Sequence, residues 1–331
     1  MKARRILSLD GGGIRGLVTC RWLAGVEDAL QVAGVPGLGN NFDLVAGSST
    51  GAIVAAGLAV GLSPAAIAEM YREHRHTIFP GIANRLWSRA ARLLSDGPSA
   101  PRYDAKGLEK VLKGVFGDTR LGQVQRPLLI TSYDTIARSP VIFKSFKPEH
   151  QQLRLWEVCR ASSAAPTYFP AHGMDVEGRA CALIDGGVVA NNPTACAIAE
   201  ALRKDASAEQ PTDLLVLSIG TGARTRSIDL KSAREWGAIE WAVPIIDVLF
   251  DGNADSVDYI ARHLVGDGYF RMQSELSIGT DDLDDVSETN IAALEAVSRN
   301  YLALAETRAM LARLSTLLAQ YHSINEMPKP I

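Results

Sequence analysis

Cysteine is scarce: only Cys20, Cys159, Cys181 and Cys196 occur in 331 residues. They are far apart, form no C-x-x-C pair and have no suitably spaced histidines, which argues against a zinc site or a disulfide framework and predicts buried free thiols in a reducing compartment. An excess of basic charge is also lacking. Lys and Arg number 34 against 37 Asp and Glu, so no overall field exists to hold a nucleic-acid backbone. Long apolar runs are absent too: the stretches Gly51 to Leu62 and Trp241 to Phe250 are too short or too glycine-rich to span a bilayer, leaving peripheral membrane contact. Lys2, Arg4 and Arg5 precede Ile6 and Leu7 in the manner of an export signal, but Asp10 and three glycines end the run, so the expected location is cytoplasmic.

What is present is ordinary globular material. Apolar residues at 47% and charged residues at 21% supply enough for a packed interior and make disorder a poor reading. Length alone fits one domain with an elaboration as well as two.

Residues 5 to 9, RILSL, read as a strand entering the cluster Gly11, Gly12, Gly13 and Gly16, and Leu17 to Ala33 reads as a helix with Leu23, Val26 and Leu30 on one face. The theme repeats with a strand from Phe42 to Ala46, a sharp GSSTG turn and a helix from Gly51 to Val60. Two strand-turn-helix units predict an α/β fold whose parallel or mixed sheet is covered by helices. Ser63 and Pro64 can cap and start a helix. From Ile82 to Leu94, Leu86 and Leu93 lie opposite Arg85, Arg89 and Arg92, an amphipathic cationic helix. A helix over 104–116, strands over 128–133 and 141–146, a helix over 155–165 stopped by Pro166, a strand over 181–184, a helix from Pro193 to Arg203 and a buried strand over 214–219 follow. Glu288 to Tyr321 has helical spacing, with Ile291, Leu294, Val297, Tyr301, Leu304, Met310 and Leu314 as its expected buried face.

Gly47-Ser48-Ser49-Thr50-Gly51 matches G-x-S-x-G in the setting that gives the pattern meaning, after a strand and before a helix. A nucleophile at such an apex has close neighbours, and glycine on both sides leaves room for it. The following helix aims its positive end at developing negative charge. The competing reading is a simple helix cap. Gly11, Gly12 and Gly13 offer consecutive unhindered amides for an oxyanion or a phosphate. Gly11, Gly13 and Gly16 also satisfy a dinucleotide fingerprint, but Glu27 and Asp28 come too early and Asp43 too late for its ribose-binding acid. Arg15 gathers an anionic headgroup, braces the turn through a carboxylate, or is a purely structural surface arginine. None of His74, His76, His150, His172, His263 and His322 lies in a punctuated strand-end motif, so no histidine triad is read. Asp185 is delivered by a strand end and followed by Gly186 and Gly187; as a base for Ser49 it needs direct contact and desolvation.

The strings SLDGGGIRG (8–16), GSSTG (47–51) and DGG (185–187), with RASSAAPTYFPA (160–171) and DGGVVANNP (185–193), together resemble the patatin-like phospholipase family. The resemblance implies a three-layer α/β/α fold with a mixed, mostly parallel sheet. It also implies a single domain with its catalytic core over about 5–222 and a helical elaboration over 223–331. It places the nucleophile on Ser49, the catalytic aspartate on Asp185 and the oxyanion loop on Gly11, Gly12 and Gly13, and implies acyl-ester hydrolysis of phospholipids or lysophospholipids without metal or organic cofactor. A soluble short-chain esterase or thioesterase, or an inactive nucleotide-binding scaffold, are the alternatives. The compact chain is also similar to phospholipase effectors of cyclic-nucleotide-activated antiphage defence, which implies a cyclic-nucleotide activator. Peripheral contact at the inner membrane face and a homo-oligomer stay open.

Overall fold

The computed structural model describes residues 4–81, 101–204, 210–223, 226–242 and 244–326. The cationic helix expected over 82–94 lies outside them. In chain order the regular elements are β1 (Arg5–Leu9), α1 (Gly16–Val32), β2 (Leu44–Ser48), α2 (Thr50–Ala59), α3 (Pro64–Ile78), α4 (Lys106–Phe116), β3 (Leu128–Asp134), β4 (Ser139–Lys144), α5 (Leu155–Ser162), β5 (His172–Val176), β6 (Arg179–Asp185), α6 (Gly187–Ala190), α7 (Thr194–Lys204), β7 (Leu215–Ile219), α8 (Leu230–Glu235), α9 (Ala238–Trp241), α10 (Pro244–Val265), β8 (Tyr269–Met272), α11 (Glu288–Ala303) and α12 (Ala305–Glu326).

The strands form one mixed sheet in which β8, β7, β1, β2 and β3 run parallel, β4 and β6 run against β3, and β5 pairs antiparallel with β6 at the edge. Alternation along the central strands builds two cores. Leu7, Leu9, Val45, Leu217 and Ile219 belong to the larger cluster with α1, α2 and α3. Their neighbours Ile6, Leu44, Ala46 and Val216 belong to the smaller one with Ala197, Ile198, Ala261 and Val265 of α7 and α10. Side chains of successive strand residues point to opposite faces, so a sheet apolar on both sides must carry a helical layer on each. This is the expected α/β/α arrangement.

One junction positions the site. Residues 129–131 of β3 pair with β4 and with β2, whereas residues 132–134 pair with β4 and with β6. Because a strand has only two edges, β2 and β6 share the edge opposite β4 and meet end to end. Ser48 stands opposite Thr131 and Asp185 opposite the next residue, Ser132.

Three expectations need correction. The second strand begins at Leu44, not Phe42: Asp43 accepts hydrogen bonds from the Arg4 and Arg5 amides at 3.1 and 3.0 Å and pairs with the Arg5 guanidinium, which fixes the entry to β2. The C-terminal helical span divides at Leu304, whose extended backbone (φ -61°, ψ 140°) separates α11 from α12 and leaves its side chain 43% exposed. The region after residue 222 is not purely helical either, since β8 adds an edge strand on β7. Four residues are too few for a period-2 signal to stand out.

Candidate active site

β2 ends in a turn that no ordinary backbone could make. Ser49 has φ 52° and ψ -122°, a left-handed region that costs a non-glycine residue on the order of 1–3 kcal/mol. Both flanking glycines are needed for space: a Cβ on Gly47 would lie 2.3 Å from the Gly51 carbonyl oxygen, and one on Gly51 2.2 Å from that of Leu9. Ser49 then stands at the N-cap position of α2, beside the helix's positive end, without a side-chain capping hydrogen bond.

Along the shared edge, β6 delivers Asp185 to the same level. The Ser49 hydroxyl donates to Asp185 Oδ2 at 2.7 Å, and the Gly187 amide donates to Oδ1 at 2.7 Å. Asp185 is fully buried and Ser49 nearly so. Burial pushes the Asp185 carboxyl up to about 7, opposed by the Ser49 hydroxyl, the Gly187 amide and the charge of Arg160. A carboxyl in that range is a better proton acceptor than an exposed aspartate. A Cβ on Gly186 would lie 2.3 Å from the Thr131 carbonyl oxygen, so glycine lets the turn pass beside β3.

The glycine loop divides its amides. Gly11 donates to the Asn191 carbonyl at 3.0 Å, so its N–H holds the loop in place; the expectation that it faces an oxyanion is corrected. Among the described residues, the Gly12 and Gly13 amides donate to none. Gly13 has φ 59°, a Cβ there would lie 2.2 Å from the Leu283 carbonyl oxygen, and it lines the same cavity as Ser49. Arg15 is buried beneath the loop, donating to the carbonyls of Gly12 at 3.4 Å and Gly222 at 3.1 Å. Both of these contacts tie the loop to its surroundings through carbonyls.

Behind the loop, Asp10 receives Arg271 of β8 at 2.6 Å, and Arg271 also donates to Ser218 Oγ at 2.9 Å. Burial works against the guanidinium charge, but the Asp10 carboxylate outweighs it and holds Arg271 above its ordinary value. Removing one partner of a buried pair strands the other charge. Arg271→Ala is therefore expected to cost about 3–5 kcal/mol of stability, read as a lowered urea midpoint; an unchanged midpoint would show the pair to be dispensable.

The cavity in front of Ser49 measures about 40 Å³ and is walled by apolar groups, among them Ile53, Phe79, Phe169, Phe250 and Leu283. Among the described residues that line it there is no histidine. The sequence did not single out Leu283 as a wall residue, Arg271 as the partner of Asp10, Arg160 as the charge near Asp185, or Ser162, whose Oγ accepts the Ser49 amide at 2.9 Å. Arg160 and Ser162 lie within the string RASSAAPTYFPA, which could have flagged them; Arg271 carries no motif.

Residues 7–198 match the family described as patatin-like phospholipase. Patatin-like protein 2 of Oryza sativa subsp. indica is 32% identical over 343 residues, covering 91% of this chain and 84% of that protein. Patatin-like protein 3 of Arabidopsis thaliana is 35% identical over 297 residues, covering 77% and 68%. Among solved structures, VipD from Legionella pneumophila is similar over 91% of this chain and 67% of its own, with a TM-score of 0.43 and 16% identity. By the family match and by its similarity to the plant proteins, the chain belongs to the patatin-like phospholipase family.

Proposed function

We propose that the chain is a serine acyl hydrolase that cleaves fatty-acyl esters of phospholipids or lysophospholipids through Ser49 and Asp185. The observation that carries this reading is the 2.7 Å contact between the Ser49 hydroxyl and a buried carboxylate at the wall of an apolar cavity. Asp185 takes the Ser49 proton as Oγ attacks the acyl carbonyl, and the Gly12 and Gly13 amides receive the developing oxyanion. The tetrahedral intermediate collapses, the C–O bond breaks, and Asp185 returns the proton to the departing alcohol or lysolipid. Water then attacks the acyl-enzyme as Asp185 takes its proton; the Ser49–acyl bond breaks, Asp185 passes the proton to Ser49 Oγ, and fatty acid leaves. Apart from that water, each step draws on side chains and amides of this chain.

The outer side of α10 offers a surface for meeting lipid. Ile245, Val248 and Leu249 are 38%, 44% and 41% exposed and follow Ile239 at 87%, while Phe250 on the inner side of the same helix walls the cavity. Such apolar side chains enter the headgroup boundary when a peripheral protein settles on a membrane. Among the described residues no helix is long and apolar enough to cross one.

Incubation with a mixed lipid extract and mass analysis of the products tests the reading. The wild type should release free fatty acid and lysolipid, and Ser49→Ala and Asp185→Asn neither; equal release by all three would refute it. The cavity supports a second reading. Its apolar walls would receive a short acyl group as readily as the start of a long tail, which keeps a soluble short-chain esterase or thioesterase as the alternative. Turnover of butyryl esters far above that of phosphatidylcholine vesicles would select this alternative; faster turnover of the vesicles would select the lipase.

A further inference from the structure

The two halves of the site are fastened to one residue that the proposed chemistry does not use. Ser162, the last residue of α5, is fully buried. Its Oγ accepts the Ser49 amide at 2.9 Å, and its carbonyl accepts the Gly186 amide at 3.1 Å. Two residues later the Ala164 carbonyl accepts the Asp185 amide, also at 3.1 Å. One helix end thus grips the nucleophile's turn through a side chain and the carboxylate's turn through main chain.

The Ser49 amide needs this partner. Its positive φ turns the backbone away from the β2 ladder, whose last pair is Ser48 with Thr131, and the N–H points to the Ser162 hydroxyl. A buried N–H must find an acceptor, and losing the one it has removes a constraint on a strained turn. We infer that Ser162 is a positioning residue that fixes Ser49 against the Asp185 turn. The inference rests on the hydrolytic reading given above, because it assigns Ser162 no contact with substrate.

The test follows fluorophosphonate labelling of Ser49, per folded molecule, in the wild type, Ser162→Ala and Ser162→Thr. A displacement of about 1 Å at a reacting atom can cost about a hundredfold in rate, so Ser162→Ala should label on that order more slowly. Its kcat on a short ester should fall in parallel, while KM and the pH midpoint stay in place. Ser162→Thr, which keeps the hydroxyl, should recover most of the rate. A general loss of structure would move KM and folded yield together. Hydrogen exchange on the wild type gives an independent reading, since the Ser49 amide should be strongly protected. Wild-type labelling rates in Ser162→Ala, or an unprotected Ser49 amide, would overturn the inference. Wild-type labelling at a serine other than Ser49 would instead refute the hydrolytic reading.

Discussion

Replacing Ser49 by alanine is expected to lower kcat/KM for acyl esters by about 10⁴-fold or more, the scale on which serine hydrolases respond to loss of the nucleophile. The physical ground is narrow: alanine removes one oxygen and nothing else from a turn fixed by Gly47, Gly51 and the Ser162 contact. The fold should persist, because alanine tolerates the positive φ no better and no worse than serine. Loss of the hydroxyl that donates to buried Asp185 should lower the thermal midpoint modestly, at a cost of about 1–3 kcal/mol, while turnover disappears. Residual activity above about one per cent of wild type, far outside that range, would show that another group performs the attack.

The second large effect is at Asp185, where activity and stability should move in opposite directions. With its carboxyl at about 7, the wild type should gain kcat/KM as pH rises through 7, when Asp185 becomes able to accept a proton. The stability sign follows from linkage. The unfolded chain loses this proton near 3.8, the folded chain near 7, so between these values the folded state binds more protons. The contribution of Asp185 to wild-type stability thus falls as pH rises from 4 to 7, by up to roughly 4 kcal/mol, and that loss is complete above 7. The side chain introduced by Asp185→Asn is neutral at every pH, and its amide can still meet Ser49 and Gly187. Asp185→Asn should therefore be inactive yet more stable than the wild type at pH 8, with the gap closing at pH 4. Equal thermal midpoints of the two proteins at pH 8 would refute the assignment of a strained, buried charge.

Much of this arrangement was legible in the sequence, because glycine and apolar runs mark where strands end. SLDGGGIRG, GSSTG and DGG each mark a strand end, and those three ends converge. What stayed hidden depended on distant pairings. Arg271 has no local signature, and only the register of β8 on β7 brings it to Asp10. The engagement of the Gly11 amide depends on where the Asn191 carbonyl comes to rest. Arg15 could be read either way until its burial was known, since an arginine bracing carbonyls and one awaiting an anion have the same surroundings in sequence. Leu304 fits the helical period of its neighbours, yet the chain bends there and exposes it.

The meeting of β2 and β6 along one edge of β3 makes that third strand a spacer between Asp185 and Ser49. Consecutive residues Thr131 and Ser132 carry the two ends, so the separation is set by a single backbone rise of about 3.3 Å. An extra residue inserted between them, as in a β-bulge, would push the strand ends apart without touching either reacting side chain. The tolerance of this fold to insertions should accordingly be lowest at a position that contributes neither side chain of the Ser49–Asp185 contact.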